Sequence, residues 1–145
     1  MLATAESCTG GWVSQAVTAV AGSSEWFDRG FVTYSNEAKI EMLGVPETMI
    51  RDYGAVSEET ARAMASGALA RSQAGVAVSI TGVAGPSGGS PRNPVGTVCF
   101  AWAAQDVLRS GRMLFSGSRD AVRRQSVVHA LEGVRALVDA ASAKD

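Results

Sequence analysis

The chain has little with which to hold a metal or staple itself together. Its 145 residues include two cysteines, Cys8 and Cys99, and one histidine, His129. The cysteines do not form a metal-ligand spacing and are too few for a disulfide framework. Reduced thiols in a cytoplasmic protein are expected, with no metal site. His129 stands alone and reads as structural or solvated. No apolar run approaches the roughly 18 residues that a membrane helix needs. The N-terminus lacks the basic start and long apolar stretch of a signal peptide, so neither a membrane nor export is expected. There is also no basic run. The 13 basic and 14 acidic residues leave a formal charge of −1, which offers no electrostatic footprint for nucleic acid or an anionic membrane surface.

What is present suits a folded enzyme-sized unit. The chain is 46% hydrophobic and 19% charged, enough apolar material for a core and too much for a disordered segment. Its length fits one domain over residues 1–145. No repeat, low-complexity tract or linker divides it. A strand-like run begins at once, over Met1–Ala5, so an upstream element is expected to precede it. Thr9-Gly10-Gly11 is a turn and Trp12–Ala21 a helix. Gly30–Tyr34 reads as a second strand. Ser35 or Asn36 caps a short helix through Leu43, closed by Gly44, and Pro46 starts another. Ser57 is an N-cap with Glu58 and Glu59 in the first turn, where carboxylates suit the helix dipole. Ala61, Met64, Ala65, Ala68 and Leu69 then share one helical face.

Gly75–Thr81 is a β-branched, nearly all-apolar run, the mark of a strand buried on both faces. Gly82–Val95 is a loop with four glycines and three of the four prolines. Val95–Ala104 alternates Val98, Phe100 and Trp102 on one face, and a turn at Gln105-Asp106 leads to an antiparallel partner, Arg109–Phe115. A last helix spans Asp120–Ser142, with Val127, Leu131, Val134, Val138 and Ala141 as its apolar stripe. Strands alternating with helices in this order predict a three-layer α/β/α sandwich around a mixed, mostly parallel sheet. Ligands in such sheets sit beyond the carboxyl ends of the strands. The loops there are Glu6–Gly11, Ser35–Lys39 and Gly82–Val95, and the polar chemistry of the chain is concentrated in them.

Four constellations stand out. Thr4-Ala5-Glu6-Ser7-Cys8-Thr9-Gly10-Gly11 lies between a strand and a helix. There a hydroxyl can project from a tight turn beside free N–H groups, or simply cap the helix. Tyr34-Ser35-Asn36-Glu37-Ala38-Lys39 places a tyrosine at a strand end and a lysine one turn into a helix. A lysine desolvated near a serine can act as a base; the plain alternative is a solvated lysine. Ser79–Gly89 is rich in glycine, which allows close backbone approach to a ligand, but it fits neither the dinucleotide nor the P-loop spacing. Arg119 and Arg123 lie four apart on one helical face, where one or both can clamp a phosphate or stay solvated.

Taken together, these segments resemble the CinA C-terminal domain family. The residues that carry the resemblance are Ala5-Glu6-Ser7-Cys8-Thr9-Gly10-Gly11, Gly30–Lys39, Leu43-Gly44-Val45, Tyr53–Ser57, Thr81–Pro86, Pro94–Val98 and the Arg119…Arg123 pair. They cover nearly the whole chain. Asn93 stands where a lysine is common in the family, and Ser118 where an aspartate is common.

The resemblance implies metal-independent hydrolysis of nicotinamide mononucleotide to nicotinate mononucleotide and ammonia, with no cofactor, by a cytoplasmic homodimer. It makes Ser7 the nucleophile, with Cys8 as its rival. Tyr34, Lys39 and Thr81 become the accompanying polar groups, and Arg123, or alternatively Arg119, the substrate-binding arginine. In the mechanism this suggests, amides around Cys8–Gly10 face the oxyanion, with Thr9, Gly10 and Gly11 in that turn. Gly82, Gly85, Gly88 and Gly89 line the phosphate, Ser35 and Asn36 flank the substrate, and Glu6, or alternatively the face of Tyr34, meets the pyridinium. The competing expectation is a binding module that holds a pyridine nucleotide without turning it over.

Overall fold

The computed structural model describes residues 1–145. It contains five strands and five α-helices: β1 (Leu2–Glu6), α1 (Trp12–Thr18), β2 (Phe27–Val32), α2 (Asn36–Leu43), α3 (Glu47–Tyr53), α4 (Glu58–Ala70), β3 (Val76–Gly82), β4 (Thr97–Ala104), β5 (Val107–Leu114) and α5 (Arg119–Ser142). The strands form one sheet in the order β2-β1-β3-β4-β5. β2, β1 and β3 pair in parallel, while β4 is antiparallel to both β3 and β5. Four strands therefore run one way and β4 alone runs against them, a mixed and mostly parallel sheet.

Helices cover both faces, because side chains alternate across each strand. One face carries Leu2, Val78, Ile80, Val98, Phe100 and Trp102, which bury Val13 and Val17 of α1 and Val122, Val127 and Leu137 of α5. The other carries Ala3, Ala5, Ala77, Cys99, Ala101 and Ala103, against Ala61, Met64, Ala65 and Ala68 of α4 and Leu43 of α2. The small side chains on this second face let α4 lie close. The same economy recurs between α2 and α4, where a Cβ on Gly67 would run into the Leu43 carbonyl. His129 is half-buried at the edge of the first layer: its ring lies 4.6 Å from that of Phe100, and burial lowers its pKa.

Several boundaries differ from the sequence expectation. α1 stops at Thr18, whose Oγ1 donates to the Ser14 carbonyl, so Ala19–Ala21 lie outside it. β2 starts at Phe27, earlier than Gly30, because its pairing with β1 runs from Leu2↔Phe27 to Glu6↔Val32. It ends before Thr33 and Tyr34. β4 begins at Thr97 rather than Val95, after Gly96 at φ +96°. β5 begins at Val107 rather than Arg109. In α5 the buried row is Val122, Ser126, Val127, Ala130 and Leu137, whereas Val138 and Ala141 of the expected stripe are exposed.

β1 is the switch point of the sheet. Its chain leaves through α1 to β2 on one side, and β3 lies on the other. The loops after β1 and β3 thus part at their carboxyl ends, where open α/β sheets hold ligands.

Candidate active site

The site starts from Glu6, the last residue of β1. It is fully buried, and a buried carboxylate needs partners. Four donors meet it: Thr9 Oγ1 at 2.7 Å and the Val13 N–H at 2.8 Å on Oε1, and the Ser14 N–H at 3.0 Å and Ser14 Oγ at 2.9 Å on Oε2. Glu6 thereby takes up the otherwise unpaired N–H groups at the start of α1 and folds Ser7–Gly11 into a tight turn. Gly10 and Gly11 adopt φ +60° and +104°, values that favour glycine. Ser7 enters the turn with its N–H on the Ile80 carbonyl at 2.9 Å.

Lys39 reaches this turn from α2. The Ser35 hydroxyl caps that helix by accepting from the Ala38 N–H, which places Lys39 one turn in, on the face toward the sheet. It is 1% exposed. Its Nζ donates to the Thr33 carbonyl at 2.8 Å, to Ser7 Oγ at 3.0 Å and to the Tyr34 carbonyl at 3.4 Å. No carboxylate pairs with it, so burial drives its pKa below the ordinary lysine value, a shift that the neighbouring Cys8 opposes. A neutral amine has two N–H groups and one lone pair. Two carbonyls and one hydroxyl are met in either charge state: the ammonium donates to all three, whereas the amine donates to the carbonyls and leaves its lone pair facing Ser7 Oγ. Burial pushes the Cys8 thiol up to about 11, which keeps it in the thiol form, whereas the thiolate is the reactive one.

Beside this pair lies a cleft of about 290 Å³, lined by Cys8, Tyr34, Gly82, Val83, Ala84, Gly85, Ser87, Gly88 and Arg119. The N–H groups of Ala84, Gly85, Ser87 and Gly88 donate to no backbone carbonyl, and neither do those of Cys8, Thr9 and Gly11. Arg119 sits at the first turn of α5, where Ser118 caps the helix in place of the family's aspartate. Its guanidinium donates to the Gly85 carbonyl at 2.7 Å and to the Tyr34 phenol oxygen at 3.3 Å. No group of three His, Cys, Asp or Glu side chains is placed to hold a metal ion.

The structure therefore brings some expected residues together and separates others. Ser7 and Lys39 are in contact. Tyr34, Gly82, Gly85, Gly88 and Arg119 line the cleft. Glu6 does not face it: its carboxylate is saturated inside the protein, which removes it from any pyridinium. The Thr9 hydroxyl is held by Glu6. Thr81 is buried, and its hydroxyl donates to the Ala55 carbonyl at 2.8 Å, not to Lys39. Ser35 and Asn36 are exposed at the start of α2. Gly89 lies against Val95, beyond the cleft lining. Arg123 is outside the lining as well, its donors on the carbonyls of Cys8 and Thr9. Asn93, at the family's lysine position, bonds the Val56 carbonyl and accepts from Arg112. The residue that sequence reasoning missed is Thr33. It acts through its backbone carbonyl, which residue type does not reveal, and its buried hydroxyl has no partner.

A family model described as the CinA C-terminal domain matches residues 1–138. The chain belongs to the CinA C-terminal domain family. This CinA domain is 58% identical over 130 residues to the nicotinamide-nucleotide amidohydrolase PncC of Escherichia coli (strain K12), a match covering 89% of this chain and 79% of that protein. It is 54% identical over 134 residues to the Pseudomonas putida protein of the same name, covering 92% and 84%. Its fold superposes on the crystal structure of the competence/damage inducible protein CihA from Agrobacterium tumefaciens with a TM-score of 0.93 at 49% identity, covering 94% of this chain and 84% of that one.

Proposed function

We propose that the chain is a nicotinamide-nucleotide amidase, which hydrolyses the carboxamide of nicotinamide mononucleotide to nicotinate mononucleotide and ammonia. The observation that carries this reading is the buried Lys39 amine 3.0 Å from Ser7 Oγ, where burial lowers its pKa. The 58% identity to the Escherichia coli amidohydrolase supports the substrate class.

In this reading Ser7 Oγ attacks the carboxamide carbon while Lys39 takes its proton. The Cys8 N–H, next to Ser7 and on the cleft wall, faces the oxyanion; such a donor is worth roughly 3–4 kcal/mol. The C–N bond breaks as Lys39 returns the proton, and ammonia leaves a nicotinoyl ester on Ser7. Water then attacks that ester with Lys39 again accepting the proton, and the proton goes back to Ser7 as the ester bond breaks. The substrate phosphate rests on the free amides of Ala84, Gly85, Ser87 and Gly88 and on Arg119, a charged donor at a helix N-terminus. Tyr34, bonded to Arg119, orders that wall.

The residues act within one domain over 1–145, in the cytoplasm and without a cofactor. No helix is long and apolar enough to cross a membrane. For a homodimer, the edge strand β5 offers exposed Met113 on one face of the sheet and exposed Leu114 on the other.

The test is ammonia release from nicotinamide mononucleotide in the presence of a chelator. Wild type should release ammonia and Ser7→Ala should lose about 10³-fold or more while still binding substrate. A folded wild type that binds the nucleotide and releases nothing would identify a binding module instead.

A further inference from the structure

Arg123 reaches the turn after β1 from α5, and it meets two successive carbonyls there. Its Nε donates to the Cys8 carbonyl at 3.1 Å and its Nη2 to the Thr9 carbonyl at 3.1 Å. Its guanidinium lies 5.4 Å from the Trp12 ring centroid, which steadies it from the side. A trans peptide is planar, so fixing a carbonyl also fixes the N–H on the opposite side of the same plane. The three planes of the turn are anchored differently. The Ser7 carbonyl accepts from the Gly10 N–H at 3.0 Å, and the Thr9 carbonyl also accepts from the Trp12 N–H at 3.0 Å. The Cys8 carbonyl has Arg123 alone.

Cys8 is the member of this turn that lines the cleft, and its N–H bonds no backbone carbonyl. It is held on its N-terminal side by Gly10 and on its C-terminal side only by Arg123. We propose that Arg123 is a positioning residue, which locks the Cys8–Thr9 peptide with its Thr9 N–H and so fixes the C-terminal side of Cys8, whose own N–H faces the oxyanion, and that it is not a ligand of the substrate phosphate. Arg119, which lines the cleft, has that second task. The kinetic consequence rests on the amidase reading above; the ordering of the turn does not.

The experiment compares Arg123→Gln, Arg123→Lys and Arg119→Gln on two substrates, nicotinamide mononucleotide and the same nucleoside without its phosphate. 15N relaxation is recorded on the same proteins. Arg123→Gln should lower kcat about 10- to 100-fold on both substrates by a common factor, with KM little changed. Arg123→Lys keeps the charge but lacks the fork that spans two carbonyls. It should fold as wild type and still fail to recover kcat. Arg119→Gln should raise KM for the phosphorylated substrate only. In the relaxation data, the Thr9 amide belongs to the freed plane and should drop from a rigid order parameter near about 0.85 to below about 0.6, while the Trp12 amide stays rigid. A rise in KM confined to the phosphorylated substrate in Arg123→Gln, or an unchanged Thr9 amide, would overturn the proposal. Absence of ammonia release by wild type would instead sink the amidase reading, and the Thr9 amide would still decide the role of Arg123.

Discussion

The two ends of the sheet differ in kind. Beyond the carboxyl ends of β1 and β3 the chain buries Glu6, Ser7, Thr33 and Lys39 behind the wall of a cleft of about 290 Å³, whose lining includes Cys8 and Tyr34. At the other end, beside the Gln105-Asp106 turn, lie larger cavities of about 410 and 620 Å³. These are bordered by Leu69, Ala103, Val107, Leu108 and Leu137 with exposed Gln105 and Asp106. No hydroxyl there bonds a buried amine. Cavity size therefore does not mark the chemistry. Polar groups held out of water with matched partners do, because the fold gives up solvation to keep them there.

The contrast can be broken from either end. Glu6→Ala should have the largest effect on stability, about 3 kcal/mol, because it orphans the buried N–H of Val13 along with three other donors. Thermal unfolding reads this directly, and a change within a degree or two would mean that α1 does not need its carboxylate. Arg119→Ala should act more mildly, raising KM for nicotinamide mononucleotide about tenfold with little change in kcat. Equal losses in both parameters would move Arg119 from binding to chemistry. Gln105→Ala at the far end should change neither kcat nor melting temperature, since it is an exposed turn residue. A loss of activity there would erase the distinction between the two ends.

Much of this architecture was legible in the chain. Alternation in Val98, Phe100 and Trp102 marked the face of β4 that packs on α5, although Cys99, Ala101 and Ala103 bury the other face as well, and Gly44 and Ser57 bounded their helices as helix-capping rules predict. The edges of β2 and α1 were not legible, because register with β1 and a local threonine bond decide them. At the site, the concentration of Ser7, Lys39 and the glycine loop at one end followed from strand order. The roles of Glu6 and Arg123 did not. Both are charged side chains in a polar motif, which suggests ligand contact, yet both bond this chain's own backbone. Spacing shows that Arg119 and Arg123 share a helical face; only the three-dimensional arrangement shows that one meets the cleft and the other the turn behind it.

Lys39 is the centre of the account, and its titration tests it most directly. Burial lowers its pKa, so the unfolded chain holds the proton more tightly than the native one. Native stability should therefore rise with pH between the depressed value and the usual lysine value of about 10.4. In the proposed mechanism, catalysis needs the same deprotonation. The measurement is kcat/KM for ammonia release against pH, for wild type and Lys39→Met. The account predicts an acid limb that titrates below the ordinary lysine range in wild type, with Lys39→Met inactive across the whole range. A flat wild-type profile there, or a Lys39→Met enzyme with near wild-type turnover and the same limb, would contradict it.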